Sequence, residues 1–140
     1  MTSIADADPI PAAIARLSAD PALTAALGGP GRVGADHVPP YPRLRVRPAA
    51  GGFDDLRTHR VGVALRLEAL DSVKTPVGEE RLRRILYLAL ARLTALPEMP
   101  TAPGEPIITD VSSNGGGGPV PEADGRSRWV STVQIAAHPG

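Results

Sequence analysis

The chain has 140 residues, 42% of them apolar, no cysteine and a formal net charge of zero. That length suits one domain with a core of its own, and the missing thiols exclude disulfides and thiolate-bound metals, in keeping with an intracellular or virion setting. A neutral chain with only Tyr41, Phe53, Tyr87 and Trp129 as aromatics lacks both the overall field that gathers nucleic acid and the stacking platforms that hold single strands.

Residues 1–8 read as a flexible arm ahead of a single domain over 9–140. The opening MTSIADADPIPA carries acids where a signal peptide needs bases, and no stretch approaches the length of a membrane span. Asp8-Pro9 is a helix start, and Ile10, Ile14 and Leu17 form its apolar stripe. Asp20-Pro21 repeats the signal for a second short helix with Leu23 and Leu27, ended by Gly28-Gly29. A short extended piece follows around Val33. HVPPYP cannot be helical, because its prolines fix the backbone and remove donors. It leads into RLRVR, a strand with Leu44 and Val46 on one face and Arg43, Arg45 and Arg47 on the other. Pro48 to Asp55 reads as a turn or loop.

The stretch His59–Leu96 is the centre of the chain. In HRVGVALRLEAL, Val61, Val63, Leu65 and Leu67 alternate with Arg60, Ala64, Arg66 and Glu68, the period of a half-buried strand. After a short break, Leu82, Ile85, Leu86, Ala89, Leu93 and Leu96 recur at helical steps. Glu79 and Glu80 lie in the first turn, where the helix dipole favours anions. Pro97, Pro100 and Pro103 make a stiff connector. Ile107, Ile108 and Val111 mark the next strand. A glycine-rich segment, Asn114–Gly118, precedes the last strand, in which Trp129, Ser131, Val133 and Ile135 share a face. The two strands flanking that segment are expected to pair as an antiparallel hairpin. The order α-α-β-β-β-α-β-β predicts an α+β fold: one mostly antiparallel sheet of four to five strands, helices on one face, the other face partly polar and rich in arginine.

Side chains for catalysis are sparse. His37, His59 and His138 have no metal-ligand spacing. Asp54 and Asp55 could pair with Glu79 or Glu80 as a carboxylate cluster, but a charged turn and a dipole-matched helix start explain them without chemistry. Gly115 to Gly118 lacks the lysine and hydroxyl residue of a phosphate loop and opens onto Pro119. Arg43, Arg45 and Arg47, spaced about 7 Å apart, form a patch too small for tight duplex binding. No cofactor or metal is expected.

The order of these pieces resembles the tail-terminator family of long-tailed bacteriophages and prophages. The resemblance runs over roughly residues 9–137 and is carried by DPALTAALGGPGRV, PPYPRLRV, HRVGVALRLEAL, RLRRILYLALARLTAL and DGRSRWVSTVQIAA. It implies a non-enzymatic virion protein of the tail–neck region, assembled in the host cytoplasm as a hexameric ring. Such a ring caps the tail tube and offers a docking face to the head–tail connector, and double-stranded DNA passes through its lumen without specific binding. The implied partners are therefore further copies of the chain, the major tail tube protein and the connector, with no membrane. A neck stopper on the portal side is the alternative, and a small ligand-binding domain or enzyme the more distant one. The expected interface residues are Arg43, Arg45, Arg47, Asp54, Asp55, Arg57, Asn114, Gly115, Gly116, Gly117 and Gly118.

Overall fold

In the computed structural model, which describes residues 3–113 and 117–140, the central strand is β3 (Arg60–Leu70) and the long helix α3 (Glu79–Thr94). Their apolar faces meet as the periodicities require. Leu65, Leu67, Leu82, Ile85, Leu86 and Leu93 are all fully buried. The break between the two elements is held by one carboxylate. Asp71 Oδ1 accepts the Val77 amide at 2.9 Å and Oδ2 accepts the Gly78 amide at 3.2 Å, so α3 starts beside the C-terminal end of β3.

The two short helices expected near the N-terminus are present as α1 (Ile10–Ala19) and α2 (Pro21–Leu27). Asp8 Oδ1 accepts the Ile10 amide at 3.0 Å, which moves the start of α1 one residue past Pro9. Asp20 caps α2 through the Leu23 amide at 3.0 Å. Arg92 of α3 pairs with the same carboxylate and thereby ties the two helices together. Gly28, at φ 91°, ends α2 in the left-handed region that glycine enters freely. Within the stretch read as a terminal arm, Ile4–Ala7 form a 3-10 turn, and Ala7 is buried against Val61 and Ala137.

The sheet has six strands, two more than the smaller expectation and one more than the larger: β1 (Val33–Gly34), β2 (Arg43–Asp55), β3, β4 (Ile107–Ser113), β5 (Gly118–Pro119) and β6 (Arg128–His138). The order is β1-β2-β3-β6-β4, with β5 also on β6. All pairs are antiparallel except β1 with β2. β1 is the short extended piece expected around Val33, and the strand not expected is β5, a two-residue piece below the length at which alternation leaves a pattern.

Pro48–Asp55, expected as a turn or loop, instead continues β2. Leu44 donates its amide outward to Arg32 O at 2.8 Å, and Pro48, on the same parity, points its nitrogen at the open edge. The missing donor therefore costs no ladder hydrogen bond. The glycines form a bulge. The pairing moves from Ala49↔Ala64 to Phe53↔Gly62, which leaves extra residues on β2. A Cβ on Gly52 would lie 2.2 Å from Gly62 O, and one on Gly62 would lie 2.1 Å from the Phe53 ring. Glycine at both positions lets the backbones and the ring approach.

The helices cover one face of the sheet. Leu65, Leu67, Ala69, Val133 and Ile135 pack there against α3 residues in the main core. Truncating Leu86 to alanine is expected to destabilise the fold by about 2–5 kcal/mol, as buried leucine truncations do. Urea unfolding measures it, and a loss under about 1 kcal/mol would displace Leu86 from the core.

Candidate functional site

The face of the sheet away from the helices carries the basic residues that the β2 alternation predicts. The register places Arg45 beside Glu68, Arg47 beside Arg66 and Arg128 beside Leu70. Glu68 is fully buried at the centre of this face. Its Oε2 accepts from Arg128 Nη1 at 2.6 Å. Arg47 Nε lies 2.7 Å and Arg66 Nε 3.9 Å from Oε1. Neither is aligned as a hydrogen bond to that oxygen, so both act on it as charges. Arg128 Nη1 also reaches Glu122 Oε1 at 3.0 Å. One carboxylate thus gathers arginines from β2, β3 and β6.

Two loops fold over one end of this face. Arg43 donates to Asp36 O at 2.7 Å and Gly31 O at 3.1 Å, and Arg45 donates to Ala35 O at 3.3 Å. Arg43 is 6% exposed, so its guanidinium is taken up within the chain. The segment these arginines hold contains cis peptide bonds before Pro40 and Pro42. It meets the 120–126 loop where the Arg126 guanidinium stacks over the Tyr41 ring at 4.1 Å. His37 bridges the same loops, with Nδ1 2.7 Å from the Tyr41 hydroxyl and Nε2 3.7 Å from Glu122. Backbone and side-chain hydrogen bonds from Arg126 hold the Asp124 carboxyl below its usual range.

The remaining predicted residues are dispersed. Asp54 and Asp55 end β2, and Arg57 lies in the turn that leads into β3. Asp55 Oδ1 accepts the Arg57 amide at 3.0 Å and the Thr58 amide at 3.4 Å. A hydrogen bond from the Thr58 side chain, then the one from the Arg57 amide, holds the Asp55 carboxyl below its usual 3.8. Glu79 and Glu80 begin α3 at the opposite end of β3, so the four carboxylates do not converge. His59 sits in the hairpin turn at φ 54°, and His138 is hydrogen-bonded to Pro139 O at 2.8 Å. Among the described residues no group of three or more His, Cys, Asp or Glu is placed to hold a metal ion. No helix among them is long and apolar enough to cross a membrane.

Of the glycine segment, Asn114, Gly115 and Gly116 lie outside the described residues. Gly117 packs its backbone on the core: a Cβ there would be 2.4 Å from Leu86 Cδ2 and 2.9 Å from Val130 O. Gly118 opens β5 and pairs with Val130.

Two features are absent from the sequence reading. The first is the role of Glu68, signalled only by its being the single acid among the polar-face residues of the alternating β3. The second is a groove of about 970 Å³ between α2 and the first half of α3. Its floor includes Ala22, Ala25, Val77 and Leu88, and Arg81, Arg83 and Arg84 stand along its rim. Arg83 lies over the Tyr87 ring at 5.3 Å, and Arg81 Nε donates to Ala26 O at 2.9 Å.

Glu68→Gln is expected to cost about 3 kcal/mol, the lower part of the range for breaking a buried pair, because Arg47 and Arg66 keep about a third of their side-chain surface in water. Denaturant unfolding measures it, and a neutral result would mean that the carboxylate is not the anchor of this face. The depressed Asp55 carboxyl stabilises the hairpin turn fully above the unfolded-state pKa, and that contribution is lost as pH falls through the folded value. A carbon-detected titration is expected to place the Asp55 midpoint below 3.8; a midpoint at or above that value would show the turn open in solution. No protein-family model matches this chain, and no curated protein matches it.

Proposed function

We propose that the chain is a structural subunit of a phage virion, a tail terminator that caps the tail tube as a ring and works through shape and interface. One observation carries the self-association. Leu56, 72% exposed, tops the β2–β3 hairpin with Phe53, 50% exposed, beside it. The hairpin backbone pairs with β3 and Arg60 lies over the Phe53 ring at 5.7 Å, which leaves most of Leu56 for a neighbouring molecule to cover. Among the described residues, the edge of β2 beyond the two-residue β1 and the outer edge of β4 have no strand partner, and such edges accept a neighbour.

The assignment to a tail rests on the ordered pieces from DPALTAALGGPGRV to DGRSRWVSTVQIAA. The α+β architecture, a sheet with helices on one face, agrees with what that resemblance implies. In this reading the ring is a hexamer that stops tube growth, receives the connector and lets DNA pass without specific binding.

Light scattering over a concentration series, followed by addition of polymerised tail tube protein, tests it. The expected result is a mass near six times the 14.5 kDa chain, or a monomer that becomes a ring at the tube end. A monomer that ignores the tube and binds portal assemblies would replace this reading with the neck stopper. One that ignores both would overturn a virion role.

A further inference from the structure

We infer that the β2–β3 hairpin tip of one copy seats in the α2–α3 groove of the next copy, head to tail. The inference deepens the ring reading and rests on its self-association, not on tube docking.

Tip and groove sit at opposite ends of the molecule. The tip leads into β3 at Arg60, and Asp71 fixes the start of α3 beside the other end of that strand. Eleven residues, Arg60–Leu70, span about 33 Å at about 3.3 Å per residue. The tip is also hydrogen-bonded into the sheet through Asp54↔Val61 and Asp55↔Arg60. It cannot reach its own groove, and a contact between two different surfaces of identical chains is heterologous, the type that closes into rings or runs into filaments.

The two surfaces match in chemistry. The tip presents Leu56 and Phe53, and the groove presents an apolar floor with Tyr87, 42% exposed, along it. Asp54 is exposed, and among the described residues its carboxylate enters no ion pair or side-chain hydrogen bond. Arg81, Arg83 and Arg84 are likewise exposed, and among the described residues none has a carboxylate within ion-pair distance. Glu80, the acid on the groove rim, is placed to receive Arg57 beside Leu56. An apolar side chain entering an apolar floor, ringed by pairs of opposite charge, is the arrangement of an interface anchor.

The absence of cysteine makes cross-linking a direct test. Chains carrying Leu56→Cys are mixed with chains carrying Ala25→Cys under a thiol–disulfide buffer, and the control mixture pairs Leu56→Cys with Thr94→Cys, at the far end of α3. All three positions are exposed, and circular dichroism checks that each variant folds. The expected result is a mixed disulfide-linked dimer at least tenfold above the control. Yields equal to the control overturn the contact. A second measurement uses a blocked tip, Asp54→Lys with Leu56→Lys, and a blocked groove, Ala25→Arg. Each alone is expected to lose the wild-type assembly, whereas their mixture, with one intact tip and one intact groove, forms a dimer of two 14.5 kDa chains. Wild-type assembly by either blocked variant overturns the contact. Cross-linking in an assembly that ignores the tail tube keeps the contact and removes the terminator role; a tube-capping ring without the cross-link does the reverse.

Discussion

The contact between α3 and the inner face of the sheet is the one on which the rest of the fold depends. Leu82, Ile85, Leu86, Ala89 and Leu93 come from a single helical stripe, and Leu65, Leu67, Val133 and Ile135 from two adjacent strands. Helices α1 and α2 complete this core through Leu17, Leu23 and Leu27. Asp20 and Asp71 fix where the helices sit, each by taking backbone amides that would otherwise be left without partners.

The other face of the sheet is held by a different force. Apolar burial there is slight, and a single buried carboxylate draws arginines from three strands toward one point. Such a cluster costs desolvation, which the Coulomb attraction offsets only with good geometry. Here Arg47 and Arg66 keep about a third of their side-chain surface in water, whereas Glu68 is fully enclosed and Arg128 nearly so, so the desolvated pair is Glu68 with Arg128. Arg43 and Arg45 then serve the chain itself by holding the proline-rich segment across the sheet. An arginine-rich face that looked open to a partner is largely occupied by its own loops and its own acid.

Besides Val38, Val73, Ile107 and Val120, the large apolar side chains left in water among the described residues lie at the hairpin tip and the α2–α3 groove. Their separation along β3 gives the molecule a direction, and a directional subunit with one projecting and one receiving surface is suited to repeated head-to-tail contact. The hairpin bulge contributes to this. Gly52 and Gly62 let Phe53 lie across the strand pair, which keeps the ring at the tip instead of in the core.

Much was legible in the sequence because it depended on periodicity and local chemistry. The stripes of β3 and α3, the Asp-Pro starts, the left-handed Gly28 and the two-sided pattern of Arg43–Arg47 are properties of neighbouring residues, and neighbours in sequence carry them. The β2 extension through Pro48 was not legible, since whether a proline is tolerated depends on which edge its nitrogen faces. The enclosure of Glu68, the docking of Ala7 and the packing of Gly117 on Leu86 also escaped, because each joins residues far apart in the chain. The sequence by itself determined which faces are apolar and where the main helices and the central strand lie. Only the tertiary structure decided which charges meet, which loops cover the polar face, and that the hairpin tip and the groove lie at opposite ends, because strand order and register set those distances and neither is written in any local pattern.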